Sequence, residues 1–197
     1  MTQTLQEFYE EIKDCERCAL SKGRTKLVFG SGSSDADIMF IGEAPGYYED
    51  KQGIPFVGAA GKLLDELLEG VGLKRSQVYI ANVLKCRPPD NRDPLADEIE
   101  TCKPYLLKQI EIIKPKIVCP LGNFATRLIL EKNVGISKVH GQKFQVKDFV
   151  VFPIFHPAAA LHQPAIRKPL EEDFVKLKKL LDEGVEVAPY TEQMGLF

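Results

Sequence analysis

The sequence predicts an α/β protein with a central, mostly parallel four-stranded sheet and helices on both faces. Strand-like and helical segments alternate along the chain as β-α-β-α-β-α-β-α, the order that builds parallel sheets. In the predicted strand at residues 37–41, four apolar residues follow Asp37 and enter a Gly-Glu-Ala-Pro-Gly turn at residues 42–46, as a buried strand does when it leaves a sheet. The carboxyl edge of such a sheet is where α/β proteins bind ligands.

Length and composition indicate one globular domain. The chain has 197 residues, of which 44% are hydrophobic and 27% charged, and it is long enough to bury a sizeable core. We expect residues 1–183 to form this domain, including an N-terminal metal-binding segment, and residues 184–197 to form a tail. No apolar run approaches the roughly 20 residues of a membrane span, and a secretory signal is lacking. We therefore expect a cytoplasmic monomer with no membrane partner.

The first half of the chain contains two predicted helices and one main strand. Apolar residues at helical spacing over residues 5–12 indicate an amphipathic helix that stops at the first cysteine. Residues 27–29 are predicted to pair briefly at a sheet edge, and residues 37–41 form the first main strand. Residues 47–58 are predicted to be a polar loop. A leucine stripe then marks a helix that opens at about residue 58 and is closed by glycines.

The second half repeats the strand and helix pattern. The predicted strands cover residues 78–84, 116–122 and 149–155. The predicted helices cover residues from about 94 to 113, 123–130 and 170–181. A weak alternation around Gly141-Gln142 predicts a hairpin over residues 139–150.

Three polar residues lie at the ends of predicted strands: Glu43, Asn82 and His156. Because the ends of parallel strands lie along one edge, we expect these residues to converge on one crevice. A fixed amide such as that of Asn82 can read the hydrogen-bonding edge of a flat ring, and Phe56 offers an aromatic face to stack on it. Each residue also has a plainer interpretation: a solvated glutamate, a turn-capping asparagine, a structural histidine and a core phenylalanine.

Four of the five cysteines form a second candidate site. Cys15, Cys18, Cys86 and Cys102 follow the pattern C-x2-C-x67-C-x15-C, and Cys119 in place of Cys86 gives an equally acceptable spacing. Without a secretory signal, such a set favours metal ligation or burial over disulfides. Cys119 lies inside an apolar strand, whereas Cys86 lies in a loop beside basic residues that favour a thiolate, so we choose Cys86. Four thiolates suit either zinc or a [4Fe-4S] cluster.

Four segments together resemble the family 4 uracil-DNA glycosylases, the iron–sulfur branch of that superfamily. They are Gly42-Glu43-Ala44-Pro45-Gly46, Gly53-Ile54-Pro55-Phe56-Val57-Gly58, Asn82-Val83-Leu84-Lys85-Cys86-Arg87-Pro88-Pro89 and His156-Pro157-Ala158. The resemblance implies a three-layer α/β/α fold, removal of uracil from DNA and a [4Fe-4S] cluster on Cys15, Cys18, Cys86 and Cys102. Ala44 stands where the family 1 enzymes carry an aspartate, which leaves the water-activating group open.

The resemblance also implies roles for residues of the predicted crevice. A uracil flipped out of DNA would stack on Phe56 and pair with Asn82, which would donate to O4 and accept from N3–H. His156 would stabilise the departing uracil anion near O2, and Glu43 would position or activate water. The remaining contacts would come from Glu49, which would crowd a thymine methyl group, and from the main-chain groups of Gly42 and Ala44.

The net charge of −2 does not announce a nucleic-acid partner, but a local basic face would suffice for DNA binding. The candidates for phosphate contacts are Lys62, Lys85, Arg87, Arg92 and Arg167. Leu161 is a candidate wedge for the gap that a flipped base leaves, with core packing as the alternative.

The chain ends in Gln193-Met194-Gly195-Leu196-Phe197, which resembles the short peptides by which bacterial repair proteins dock onto the sliding clamp. Gln193, Leu196 and Phe197 would be the clamp-binding residues. A disordered end is the alternative interpretation.

Two functions from other classes compete with the glycosylase. One is a non-enzymatic, metal-stapled module that binds damaged or single-stranded DNA, and the strand-end Glu43 and His156 disfavour it because a binder of an anionic ligand has little use for that carboxylate. The other is a redox enzyme that uses the cluster directly. It is disfavoured because no flavin or nicotinamide glycine fingerprint is present.

Overall fold

The computed structural model describes residues 3–146 and 148–185. Within these ranges the chain forms one six-stranded sheet and eight α-helices. The strands are β1 (Ser31–Gly32), β2 (Ile38–Gly42), β3 (Tyr79–Asn82), β4 (Ile117–Pro120), β5 (Phe144–Val146) and β6 (Phe149–Val151). The helices are α1 (Leu5–Ile12), α2 (Tyr47–Gln52), α3 (Ala59–Gly70), α4 (Ala96–Ile113), α5 (Gly122–Leu130), α6 (Ile136–Val139), α7 (Pro157–His162) and α8 (Arg167–Glu183). None of these helices is both long and apolar enough to cross a lipid bilayer.

The sheet has the strand order β1-β3-β2-β4-β6-β5. The four central strands are parallel, which confirms the predicted core of the sheet. Two outer strands extend the predicted four-stranded sheet. β1 pairs antiparallel with β3, and β5 pairs antiparallel with β6. The complete sheet is therefore mixed and six-stranded.

Strand β2 explains why the sheet is covered on both faces. All five of its residues are buried. Met39 and Ile41 pack in a core that includes residues of α1, α4 and α5, whereas Ile38 and Phe40 pack in a second core with residues of α3 and α8. Successive side chains of a strand point to opposite faces, so a two-faced core requires an uninterrupted apolar run. The structure thus confirms the three-layer α/β/α arrangement.

The prediction that residues 47–58 are a loop is wrong at its start, where α2 forms. This helix has no apolar stripe, and its buried residue is Asp50. The Asp50 carboxylate accepts a hydrogen bond from Thr25 N at 2.9 Å and so ties α2 to the N-terminal segment. A helix anchored by a polar contact leaves no hydrophobic period in the sequence.

Two edge predictions are displaced. The edge strand near the N-terminus lies at residues 31–32 rather than 27–29, where Val28 N donates to Lys85 O at 2.9 Å outside any strand. The chain reverses direction between β5 and β6, so these two strands form the hairpin. The predicted turn at Gly141-Gln142 lies before β5, just after α6. Strands of two or three residues are too short for a pattern to fix their ends.

Candidate active site

Backbone hydrogen bonds hold the carboxyl ends of the central strands level. Gly42 pairs with Asn82 across β2 and β3. The carbonyl oxygens of Gly42 and Glu43 accept bonds from the two residues after Asn82, each at 3.0 Å. Gly122 N, just beyond β4, donates at 2.8 Å to the carbonyl group two residues before His156. Glu43, Asn82 and His156 therefore leave the sheet at the same edge.

A cleft of about 420 Å³ opens at this edge. Glu43, Asn82 and His156 all line it, as do Phe56 and Glu49, so the structure brings these five predicted residues together. The other lining residues are Ala44, Pro45, Gly46, Ala60, Pro88, Asn91, Arg92 and Ala158. A concave site with apolar walls and a few polar groups is typical of small-ligand recognition.

The side-chain amide of Asn82 lies enclosed in this cleft. The residue is 2% exposed, and no described residue forms a hydrogen bond with its amide group. Gly42 makes room for the amide, because a Cβ atom at position 42 would lie 2.3 Å from Asn82 Oδ1 and 2.8 Å from the Phe56 ring. An enclosed amide with open donor and acceptor positions suits a ligand that supplies both partners.

Phe56 is held in a conformation that phenylalanine rarely adopts, with φ at +53°. The guanidinium of Arg75 donates to the carbonyl oxygens of Phe56, at 3.1 Å, and of Pro55. Arg75 also forms an ion pair with Asp65 of α3 at 2.9 Å. Gly61 allows the close approach of this loop, because a Cβ atom there would lie 1.8 Å from Phe56 O. The loop thereby fixes an aromatic face at the cleft.

His156 is a neutral imidazole in one tautomer. Its Nδ1 accepts a hydrogen bond from Ala158 N at 3.1 Å, which places the proton on Nε2. Burial lowers the pKa of His156 to about 4, so the ring is uncharged near neutral pH. The ring stacks on that of Phe56, with centroids 5.5 Å apart. His156 can therefore act as a neutral hydrogen-bond donor.

Glu43 is a half-buried carboxylate with a raised proton affinity. Burial raises its pKa above the ordinary value, and the charge of Asp93 adds to this effect. Both residues line a second groove of about 660 Å³, which also reaches His156. No described residue donates a hydrogen bond to the Glu43 carboxylate. A carboxylate in this state is suited to take a proton from water.

Glu49 connects the two sides of the cleft entrance. Its Oε1 accepts hydrogen bonds from Val57 N and Gly58 N, both at 2.9 Å. These bonds join α2 to the loop that carries Phe56. The contact of Glu49 with a thymine methyl group stays a prediction.

The four predicted metal ligands come from three segments. Cys15 and Cys18 follow α1, Cys86 lies in the loop after β3, and Cys102 is on α4. Burial raises the pKa of the Cys86 thiol, and the charges of Cys18 and Cys15 add to this rise. Burial also raises the pKa of Cys102 to about 11, with further contributions from Cys86 and Cys18. Cys86 and Cys102 belong to one core, and Cys15 and Cys18 pack against it. Arg24 Nη1 contacts both Cys15 O, at 2.8 Å, and Cys86 Sγ.

Hydrogen-bond donors face these sulfur atoms. Arg24 Nη1 lies 3.5 Å from Cys86 Sγ, and the backbone N of Lys85 donates to Cys102 Sγ at 3.3 Å. Donors and positive charge favour thiolates, so the chemistry of this donor set fits an iron–sulfur cluster. Across residues 3–146 and 148–185, no three candidate ligands are spaced to hold a single metal ion.

Cys119 lies on the other face of the sheet from these four cysteines. It is fully buried in the core formed with α3 and α8, whereas Cys86 and Cys102 belong to the core formed with α1, α4 and α5. The position of Cys119 supports the choice of Cys86 for the cysteine set.

The prediction that Lys85 contacts DNA phosphate is wrong. Lys85 is 1% exposed, and its ammonium group donates to Asn82 O at 2.8 Å and to Gln109 Oε1 at 2.6 Å. Burial lowers its pKa to about 8, and Cys102 and Cys86 oppose that effect. The side chain turns inward from the loop and cannot reach DNA.

The other predicted DNA contacts are exposed or half-buried. Lys62 of α3 is exposed, and Leu161 of α7 is 46% exposed, which argues against core packing for Leu161. The guanidinium of Arg87 lies 5.2 Å from the ring centroid of Tyr47, and its Nε donates to Asn91 at 2.7 Å. Arg92 pairs with Glu98 and Arg167 with Glu171, both at 2.6 Å. Gln193, Leu196 and Phe197 lie outside the described residues.

The sequence analysis assigns no role in the site to three residues that contribute to it. Asn91 lines the cleft with φ at +55°, and the preceding Pro-Pro-Asp turn could have indicated it. Asp93 acts on Glu43 through charge, and Arg75 holds the Phe56 loop from a distant segment. Neither contact has a local signal in the sequence.

The sheet and cleft correspond to one known class of proteins. The model of the family described as "Uracil DNA glycosylase superfamily" matches residues 29–178. This range runs from just before β1 into α8 and contains every residue that lines the cleft.

Relatives narrow this class to one family. The chain is 51% identical over 186 residues to the type-4 uracil-DNA glycosylase of Sulfurisphaera tokodaii, covering 90% of this chain and 84% of that protein. It is 46% identical over 186 residues to the type-4 enzyme of Archaeoglobus fulgidus, covering 90% and 94% of the two chains. Identity to the type-4 enzyme of Thermotoga maritima is 44% over 176 residues, covering 87% and 92%. The chain therefore belongs to the type-4 uracil-DNA glycosylase family.

Proposed function

We propose that this chain removes uracil from DNA by hydrolysing the bond between the base and its deoxyribose, which leaves an abasic site for base excision repair. The observation that carries the proposal is the enclosed, unpartnered amide of Asn82 beside the strand-end groups of Glu43 and His156. The relatives named type-4 uracil-DNA glycosylase support the same activity.

Recognition depends on hydrogen bonds that uracil can satisfy and cytosine cannot. The Asn82 amide donates to uracil O4 and accepts from N3–H, whereas cytosine presents a donor at N4 and an acceptor at N3. Cytosine would leave buried polar groups unpaired and is rejected. Phe56 stacks on the ring and offsets part of the few kcal/mol that base flipping costs.

Cleavage builds negative charge on the uracil and positive charge on the sugar, and the site has one residue to stabilise each charge. When the bond from C1′ to N1 breaks, its electron pair leaves with uracil, and the Nε2–H of His156 stabilises that anion near O2. A water oxygen bonds to C1′ while its proton passes to the Glu43 carboxylate. The negative charge of Glu43 also opposes the positive charge on the sugar. Main-chain groups of Gly42 and Ala44 assist, and Glu49 excludes the methyl group of thymine.

The test is base release from a labelled oligonucleotide that contains one deoxyuridine. After incubation with the protein and treatment with hot alkali, strand scission is expected at uracil and not in matched thymine or cytosine controls. DNA binding without scission would overturn the proposal and indicate a damage-binding module.

We propose that Cys15, Cys18, Cys86 and Cys102 hold a [4Fe-4S] cluster, with zinc as the alternative. The donors near Cys86 and Cys102 support this assignment. When bound, the cluster would supply a crosslink between the segment after α1, the loop after β3 and α4. Iron and sulfide content together with a brown colour are expected, and a colourless protein with stoichiometric zinc would contradict the assignment.

Phosphate contacts are proposed for Lys62 and Arg87, and Leu161 is proposed to fill the space that the flipped base leaves. The exposed positions of Lys62 and Leu161 support these roles, and Arg87 is half-buried. We also propose that the protein acts as a monomer in the cytoplasm.

The tail formed by residues 184–197 is proposed to dock onto the bacterial sliding clamp through Gln193, Leu196 and Phe197. Deletion of residues 193–197 should abolish clamp pull-down and leave uracil release from a short oligonucleotide unchanged. Equal pull-down of both proteins would show that the tail is not the docking segment.

A further inference from the structure

Lys85 is a buried cation without a carboxylate partner. Its side chain is among the largest that are fully buried in the structure. The two acceptors of its ammonium group, Asn82 O at 2.8 Å and Gln109 Oε1 at 2.6 Å, are both uncharged. Among residues 3–146 and 148–185, no carboxylate forms an ion pair with Lys85. A buried charge normally requires a charged partner, so the source of compensation has to be found nearby.

Two of the four proposed cluster ligands lie beside Lys85. Cys86 is the next residue in the chain, and Cys102 Sγ accepts from the backbone N of Lys85 at 3.3 Å. Four thiolates around an iron–sulfur cluster carry a net negative charge that matches an uncompensated lysine.

The same ammonium group fixes the strand end that carries the uracil-reading amide. Asn82 is the last residue of β3, and its carbonyl oxygen accepts from Lys85. Gln109 extends the contact, since its Nε2 donates to Phe29 O at 2.9 Å and to the Tyr79 hydroxyl at 3.1 Å. Gln109 and Cys102 both lie on α4. The network therefore joins the cysteine helix to the end of β3.

We infer that Lys85 is a positioning residue with two tasks: it is the counter-charge of the cluster held by the four cysteines, and it clamps the β3 terminus so that the Asn82 amide faces uracil. The inference rests on the proposed function for its second task and on the proposed cluster for its first. It assigns to one buried side chain the connection between the two sites.

The first task predicts the direction in which the reduction potential of the cluster changes when Lys85 is replaced. Adding an electron to a negatively charged cluster is easier beside a positive charge, so loss of the Lys85 charge should move the potential to more negative values. The second task predicts a weaker fit of uracil, with kcat/KM lower by about ten- to hundredfold, as is typical when a group that supports a ligand is removed.

The experiment compares Lys85→Met, Lys85→Arg and the matched control Lys179→Met, whose side chain is exposed on α8. Iron content, reduction potential and single-turnover release of uracil are measured on each purified full-length protein. Lys85→Met should show a more negative potential and slower release. Lys85→Arg keeps the charge but changes its reach, so it should restore the potential more fully than the rate. Lys179→Met should match the wild type in every measurement.

The outcomes separate this inference from the proposed function. A Lys85→Met protein with full iron content, wild-type potential and wild-type release would overturn both tasks. If Lys85→Met does not fold, Gln109→Met removes one acceptor of the same ammonium but keeps its charge. A wild-type rate of uracil release in Gln109→Met would then overturn the clamp. If the wild-type protein binds iron but releases no uracil, the proposed glycosylase function is refuted. The reduction potentials of the wild type and Lys85→Met still test the counter-charge in that case. A wild type without iron would overturn the counter-charge.

Discussion

At the scale of single residues, Asn82 separates uracil from cytosine by the direction of its hydrogen bonds. The change Asn82→Asp replaces a group that donates and accepts with one that only accepts when ionised. We expect uracil release to fall by about 100-fold or more, because O4 then faces a carboxylate oxygen and both are acceptors. Single-turnover kinetics measures this effect, and binding to DNA with an abasic site serves as the control. Wild-type kinetics in this variant would remove Asn82 from the recognition step.

Asp93 tunes the pH at which Glu43 is ionised. The change Asp93→Asn removes a negative charge that raises the pKa of Glu43. The base then stays ionised to lower pH, so we expect the acid limb of the profile of kcat/KM against pH to move to lower pH. An acid limb that stays in place, or that moves to higher pH, would show that Glu43 does not set it.

The raised pKa of Glu43 also predicts a trade between activity and stability. Because the folded state has the higher pKa, the charged carboxylate lowers the stability of the fold at any pH above that value. We expect Glu43→Gln to slow cleavage strongly and to keep or raise the melting temperature at neutral pH. The gain should vanish in acid below the ordinary carboxyl pKa, where the carboxyl is neutral folded and unfolded. A clear fall in melting temperature at neutral pH is the result that contradicts this view.

The polar residues of the cleft could be predicted because strand ends are visible in the sequence. Glu43, Asn82 and His156 each follow an apolar run, and parallel topology brings such positions together. Lys85 shows the limit of the same reasoning. A lysine in a loop next to a cysteine is ordinarily solvated, and nothing in the local pattern reveals that its side chain turns back to the carbonyl of Asn82.

At the scale of elements, the strained loop of Phe56 depends on Arg75. The change Arg75→Met leaves the carbonyl groups of Pro55 and Phe56 without their donor and breaks the ion pair with Asp65. We expect a loss of about 1 to 3 kcal/mol in the free energy of unfolding and a higher KM with a smaller change in kcat. Chemical denaturation and steady-state kinetics measure both effects. The neighbouring Lys74→Met, at an exposed position, is the control, and equal behaviour of the two variants would contradict the role of Arg75.

Elements with a hydrophobic period were predictable, and elements without one were not. The helices α3 and α4 and the four parallel strands bury apolar stripes that the sequence shows directly. Helix α2 is held by the carboxylates of Asp50 and Glu49, which contact distant backbone groups. Strand β1 has two residues and is paired by β3 rather than by its own pattern.

At the scale of the whole molecule, the four proposed cluster ligands lie on one face of the sheet and Cys119 lies on the other. We expect Cys86→Ala to lose most of its bound iron, because a thiolate ligand is missing. Cys119→Ala is the matched control, since Cys119 lies in the opposite core and is fully buried. Iron analysis and visible absorbance distinguish the variants. Iron lost equally from both, or from Cys119→Ala alone, would mean that the set was chosen wrongly.

The architecture of the molecule was predictable as a layer arrangement, whereas its long-range pairs were not. Alternating elements and buried strands define three layers with little freedom. The pairing of Arg75 with the Phe56 loop and of Asp93 with Glu43 depends on how loops lie over the sheet edge. Such pairs leave no periodicity, and only the folded chain brings them together.

The loop after β3 contributes both to the proposed cluster and to the cleft. Cys86 precedes Pro88, Asn91 and Arg92, which form one wall of the cleft, so the same few residues belong to the cysteine set and to the binding surface. If the proposed cluster crosslinks this loop, loss of iron would remove that crosslink from the residues that line the cleft. Uracil release would then depend on the iron supply of the cell.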